Sequence, residues 1–156
     1  MITIEIPGRG LLVIETLLLD LNGTLTVDGI VSPEVSERIV LLRQKVKIVI
    51  ATVDTRNNAS AVAANLGIEL RRIAHSGERE GKAAVLRDYG AGRTAAMGNG
   101  FNDSFMLKEA ALGICVLGPE GASPASMAAS HIVVPSAQDG LDLLLKPERL
   151  IAGLRG

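Results

Sequence analysis

Short apolar segments set the frame of this chain. Ile2–Ile6 and Leu11–Ile14 flank the turn Pro7-Gly8-Arg9-Gly10, which predicts two short strands joined in a β-hairpin. From Thr16 onward, apolar runs alternate with amphipathic stretches. The runs near Thr16–Asp20, Lys47–Ala51, Arg71–Ala74, Thr94–Met97, Gly113–Leu117 and Ile132–Val134 predict strands. Helices are expected near Asn57–Leu66, Gly81–Tyr89, Asp103–Ala110 and Gln138–Leu144. An earlier helix starts with Ser32 as N-cap and Pro33 at the first helical position, where no amide hydrogen is needed. Gly118 to Ser123 reads as a strand-to-helix loop, and a last helical turn or two begins at Pro147. Strand–helix units of this length demand right-handed crossovers, so the expected fold is α/β, a doubly wound parallel sheet with helices on both faces behind an N-terminal hairpin.

Composition narrows the picture. The sequence is 47% hydrophobic but only 2% aromatic, so the core must be built from Val, Ile, Leu and Ala, as suits a sheet covered on both faces. A length of 156 residues fits one domain spanning positions 1–156. Sixteen basic and 17 acidic residues nearly cancel, which gives no electrostatic footprint for nucleic acid or anionic lipid. No run approaches the ~18 apolar residues of a membrane span, and Glu5 and Pro7 interrupt any signal-like start. The single cysteine, Cys115, lies in an apolar run and reads as a buried reduced thiol, so a cytoplasmic setting is expected.

The chemistry gathers at strand ends. Asp20 closes the first buried strand and is followed at once by Leu21-Asn22-Gly23-Thr24-Leu25-Thr26. An Asp before a Gly turn can simply be a turn former. Three further segments, however, also fall at strand ends or helix starts: Thr52-Val53, Lys82, and Gly98-Asn99-Gly100-Phe101-Asn102-Asp103. Ligands of doubly wound sheets bind beyond the carboxyl ends of the strands. Together these residues make a coherent phosphoryl-transfer site. An aspartate can attack phosphorus and split one displacement into two, while a hydroxyl from Thr52 and an ammonium from Lys82 hold the equatorial oxygens. Mg2+ takes oxygen ligands with only one or two protein carboxylates, which Asp20, the backbone carbonyl near Asn22, and Asn99 supported by Asp103 can supply.

The segments resemble, in order, the four motifs of the haloacid dehalogenase (HAD) superfamily, from Asp20 to Asp103. Within it they are most similar to the phosphorylation domain of P-type ATPases. Asp20-Leu21-Asn22-Gly23-Thr24-Leu25-Thr26 resembles the Asp-Lys-Thr-Gly-Thr-Leu-Thr of those enzymes, Thr52-Val53-Asp54 their Thr-Gly-Asp, and Gly98 to Asp103 their Gly-Asp-Gly-Ile-Asn-Asp. The closing Leu143-Leu144-Leu145-Lys146-Pro147-Glu148-Arg149-Leu150-Ile151-Ala152 resembles that of soluble P-type ATPase-like proteins. The resemblance implies a Mg2+-dependent phosphatase with Asp20 as nucleophile, Gly23, Thr24, Thr52, Val53, Lys82 and Asn102 around the phosphoryl group, and Asp20, Asn22, Asn99 and Asp103 around the metal. It does not imply transport. There is no room between Thr26 and Thr52, or between Asp54 and Lys82, for an inserted cap domain.

Two positions depart from the pattern. Asn22 stands where phosphatases of the superfamily have an acid/base carboxylate, and an amide neither protonates a leaving group nor activates water. Asn99 replaces the usual metal-binding Asp and removes one negative charge. Slow hydrolysis is therefore expected, on a small phosphorylated compound or a phosphoprotein, with self-association covering the open crevice. Two alternatives stand beside this: a non-catalytic regulatory domain that binds phosphate or Mg2+, and a capless sugar-phosphate phosphatase closed by oligomerisation. His75 and His131 read as surface or structural histidines, and Arg71-Arg72 as a solvated strand edge. Arg56 has a substrate contact and a surface role open to it, and Asp54 can line the site or cap the following helix.

Overall fold

The computed structural model describes residues Met1 to Gly156. The hairpin forms as expected, with β1 (Ile2–Ile6) antiparallel to β2 (Gly10–Ile14) and Ile2 opposite Ile14. Six further strands follow, β3 (Thr16–Leu19), β4 (Lys47–Thr52), β5 (Glu69–Arg72), β6 (Thr94–Gly98), β7 (Leu112–Val116) and β8 (Ile132–Val134). They make one wholly parallel sheet in the order β5-β4-β3-β6-β7-β8. The order reverses between β3 and β6, and at such a switch the loops leaving two neighbouring strands diverge and open a crevice.

Helices cover both faces. α1 (Pro33–Leu42) starts as anticipated, with the Ser32 side chain accepting from the Val35 amide. α2 (Ala59–Leu66), α3 (Glu78–Asp88), α4 (Ser104–Glu109), α5 (Pro124–Ala129), α6 (Ala137–Leu145) and α7 (Pro147–Leu154) complete the set. Side chains alternate across each strand, so Leu17 and Leu19 enter a large core with Ile39, Leu141 and Leu144, while Leu18 enters a smaller one with Leu86, Met106 and Leu107. The hairpin belongs to the large core. Ile2, Ile4 and Ile6 turn inward together, and β1 packs on α7.

Three expectations shift. The helix expected from Gly81 begins at Glu78, so Lys82 lies in its second turn and not at its start. The strand expected at Arg71–Ala74 runs over Glu69–Arg72 instead, because the edge strand β5 takes its register from β4, with Val49 opposite Glu69. Pro124–Ala129 forms a helix that the apolar pattern did not single out. Its start repeats the device of α1, Ser123 accepting from the Ala125 amide ahead of Pro124. Cys115 is fully buried, and burial pushes its thiol up to about 11, which suits a packing role. His131 is structural: its Nδ1 accepts from the Gly113 amide at 2.8 Å. Arg71 and Arg72 do lie on the edge strand, where Arg71 pairs with Asp88. No helix is long and apolar enough to cross a membrane.

Candidate active site

Asp20 sits one residue past β3, and its amide still donates to the Met97 carbonyl at 2.9 Å. Pairing to β6 thus continues through Asp20 and fixes it at the carboxyl edge of the sheet. In phase with Leu18, its side chain falls on the α3/α4 face. There it meets Lys82, which is 0% exposed and reaches Asp20 Oδ1 and Asp103 Oδ1 at 2.6 Å each. Burial opposes the ammonium charge, yet the two carboxylates outweigh it and hold the Lys82 pKa above its usual value. Burial, and then the neighbouring charge of Asp20, raises the Asp103 carboxyl above the ordinary carboxylate range; Lys82 and the Gly100 amide work against that rise.

The other oxygen of Asp103 organises a loop. Oδ2 accepts from the amides of Asn99 and Gly100, both at 2.9 Å. Asp103 therefore supports Asn99 through its backbone and not, as the sequence suggested, through its side chain. Gly98 makes this possible, since a Cβ there would stand 2.5 Å from Asp103 Cγ. The Asn99 side chain bridges two other loops: Oδ1 lies 3.1 Å from Thr24 Oγ1, and Nδ2 donates to the Gly121 carbonyl at 2.9 Å. Thr24 Oγ1 is also 3.2 Å from Asp20 Oδ2, so its single proton serves one carboxylate or one amide oxygen at a time. Gly23 permits the approach with φ +77 and no side chain, because a Cβ would stand 2.5 Å from Asn99 Nδ2.

Thr52 ends β4 and is 3% exposed. Its Oγ1 accepts from the Asp54 amide at 3.1 Å, which leaves its own O–H free to donate. Val53 follows it in the same loop. Asp54 takes the capping role: at φ 60 its Oδ1 accepts from the amides of Asn58 and Ala59, and its Oδ2 pairs with Arg72 at 2.7 Å. Arg56 faces Glu120 at 3.9 Å. Asn102 donates to Glu78 at 2.7 Å, tying the α4 approach to α3.

One contact had no signal in the sequence. Asn22 Nδ2 donates to Thr55 Oγ1 at 3.1 Å, and its Oδ1 is buried with no partner. A buried amide oxygen without a donor is costly, so a group supplied from outside has a place beside it. Asp20 and Asn22 offer oxygens that fit a hard divalent cation, whereas Asp103 already spends Oδ1 on Lys82 and Oδ2 on the Asn99 and Gly100 amides, and Asn99 Oδ1 lies on Thr24 Oγ1. No cluster of three His, Cys, Asp or Glu side chains that could hold a metal ion exists, so any cation here needs neutral oxygens beside the carboxylates. A groove of about 380 Å³, lined by Gly23, Thr24, Leu25, Val27, Ile30 and Val116 among others, adjoins the loop after Asp20 and shares Gly23 and Thr24 with the site.

Solved structures share this framework. The 3-deoxy-D-manno-octulosonate 8-phosphate phosphatase of Moraxella catarrhalis, in complex with magnesium, phosphate and the sugar acid, superposes with a TM-score of 0.70 at 20% identity over 89% of this chain and 92% of that one. A cobalt-bound phosphatase of the same substrate from Haemophilus influenzae gives 0.72 at 17% identity, over 87% of this chain and 90% of that one. The chain has the haloacid dehalogenase fold. Asp20 and Thr52 lie at the carboxyl ends of strands and Asp103 just before α4, at the topological switch of that fold, while Lys82 reaches them from the second turn of α3. No protein-family profile matches the chain. An uncharacterized protein of Methanocaldococcus jannaschii is 53% identical over 60 residues, which are 38% of this chain and 64%, under two thirds, of that protein's length.

Proposed function

We propose that the chain is a Mg2+-dependent phosphohydrolase that works through an aspartyl phosphate on Asp20 and turns over slowly. The observation that carries this reading is Lys82: a fully buried ammonium held 2.6 Å from Asp20 is costly to build and orients a carboxylate that the fold itself does not need. In the first step a carboxylate oxygen of Asp20 bonds to phosphorus as the ester P–O bond breaks. The leaving alkoxide departs with the electron pair and takes its proton from solvent, since Asn22 has none to give. Lys82 and the Thr52 hydroxyl stabilise the equatorial oxygens, and the Thr24 hydroxyl orients Asp20. Water then attacks phosphorus, inorganic phosphate leaves, and the Asp20 carboxylate is restored.

Mg2+, held by Asp20, the Asn22 carbonyl, Asn99 and Asp103, would supply positive charge to offset the phosphate oxygens. Gly23, Val53 and Asn102 complete the surroundings, Asn102 by fixing the loop through Glu78. The reading includes a cytoplasmic protein acting on a small phosphorylated compound or a phosphoprotein, with self-association over the open crevice. Light scattering at micromolar concentration that finds only monomer would remove the last element.

Binding of beryllofluoride or vanadate with Mg2+ tests the assembled site. Tight, Mg2+-dependent binding that is lost in Asp20→Asn is expected. Absence of binding to the unaltered protein would favour a non-catalytic domain.

A further inference from the structure

The chain has only two phenylalanines, and both are on its surface. Phe101 is 56% exposed and Phe105 is 36% exposed, although the core lacks aromatic residues almost entirely. Over both rings lies one guanidinium, that of Arg79, whose Cζ is 4.3 Å from the Phe101 centroid and 4.5 Å from the Phe105 centroid. No carboxylate, carbonyl or hydroxyl of the protein accepts a hydrogen bond from Arg79. Its neighbour Glu78 is engaged by Asn102 at 2.7 Å. The rings thus fix a planar fork whose five N–H donors have no protein acceptor.

The place of this fork gives it meaning. Arg79 is one helical turn before Lys82, the same face of α3 about 4.5 Å nearer the helix start. Lys82 ends on Asp20, and Arg79 lies one turn nearer the start of α3, the end of the helix that faces the carboxyl edge of the sheet. Phe101 belongs to the same loop whose Asn99 and Gly100 amides are clamped by Asp103. One of the two rings under the fork therefore belongs to the loop that Asp103 shapes.

We infer that Arg79, held on Phe101 and Phe105, is the specificity determinant for the leaving group, and that the preferred substrates are phosphate monoesters whose alcohol carries a second anionic group, a carboxylate or another phosphate. A guanidinium meets either anion through two parallel hydrogen bonds, and stacking on the rings removes the flexibility that an exposed arginine would otherwise lose on binding. This inference rests on the proposed phosphohydrolase reading.

The test compares phenyl phosphate with its meta- and para-carboxylated forms. The intact protein should prefer a carboxylated ester through a lower KM, and in Arg79→Gln that preference should fall by about 10- to 100-fold, the range for a charge-assisted hydrogen bond. Arg79→Lys should keep part of it. Calorimetry with phenylphosphonate and the carboxyphenylphosphonates, which cannot be hydrolysed, reads binding without turnover. Equal affinity for all three phosphonates, or an equal loss for all three in Arg79→Gln, would overturn the inference and leave the phosphohydrolase reading intact. Failure of every phosphonate to bind in the presence of Mg2+ would overturn both.

Discussion

Lys82 Nζ stands as close to Asp103 Oδ1 as to Asp20 Oδ1, 2.6 Å in each case. The lysine therefore joins Asp20 to the carboxylate that shapes the Asn99 loop, and one side chain serves both position and charge. In Lys82→Met two buried carboxylates lose their only cation. Breaking such an arrangement typically costs about 3–5 kcal/mol, so urea unfolding should show a loss of that order. Mg2+ should restore part of it, because a cation that binds only the folded chain stabilises it by mass action. A variant as stable as the parent would show that the triad is not strongly coupled.

Gly98→Ala tests the loop from the backbone side. The new Cβ would stand 2.5 Å from Asp103 Cγ, and the carboxylate cannot move without giving up the Asn99 and Gly100 amides. Overpacking typically costs about 1–3 kcal/mol. A loss of this order should accompany weaker Mg2+ binding, measured by calorimetry on the same sample. A drop in stability with metal affinity unchanged would separate Asp103 from the metal site.

Asn99→Asp restores a negative charge at a hard-cation site and should tighten Mg2+ binding. The variant removes the Nδ2 bond to the Gly121 carbonyl, so a small loss of stability without Mg2+ should accompany the gain. Equal or weaker affinity in a titration would show that Asn99 is not a ligand.

Stability at low pH depends on a cluster remote from the site. Asp142 on α6 accepts from Arg38 of α1 at 2.8 Å and lies 3.1 Å from Lys146 and 3.3 Å from Arg149. The hydrogen bond from Arg38 is the main reason its carboxyl is held below the ordinary value. A carboxyl lowered by folding contributes stability that is present above its unfolded pKa, near 3.9, and is lost as pH falls through its folded value. The contribution should therefore be complete at neutral pH and disappear below about pH 4. Asp142→Asn should cost about 1–2 kcal/mol at pH 7, since two of the three cations are half exposed, and the difference from the parent should vanish in acid. A difference that persists at low pH would place the effect in packing.

Much of this was legible in the sequence. The apolar runs predicted the five strands other than the edge strand β5, because a strand covered on both faces reads as a continuous run, and Ser-Pro marked the start of α1. Asp20, Thr52, Lys82 and Asp103 could be gathered because a parallel α/β fold sends strand ends and helix starts to one edge. The shift of β5 could not be read, since an edge strand takes its register from its neighbour. Asp103 turning its second oxygen on the Asn99 and Gly100 amides and Thr55 meeting Asn22 depend on loop geometry and leave no periodic trace, whereas Asp54 capping α2 was one of two roles open to it. The same Ser-Pro signal stood before α5 at Ser123-Pro124, but the six residues that follow are too few to show a helical period. Arg79 and its two rings were hidden for a different reason, since their juxtaposition joins α3 to the loop before α4.

The most direct test of the account is rapid-quench turnover of an aryl phosphate with Mg2+, followed by intact mass of the acid-quenched protein. Asp20 can attack when the leaving group is a weak base, but Asn22 cannot deprotonate the water of the second step. The account predicts a burst of phenol, a slow steady state, and a phosphoryl adduct that maps to Asp20. Asn22→Asp should abolish the burst and raise steady turnover, by up to the ~100- to 10,000-fold that general acid–base catalysis provides. Linear product release with no adduct, and no gain in Asn22→Asp, would contradict the covalent mechanism.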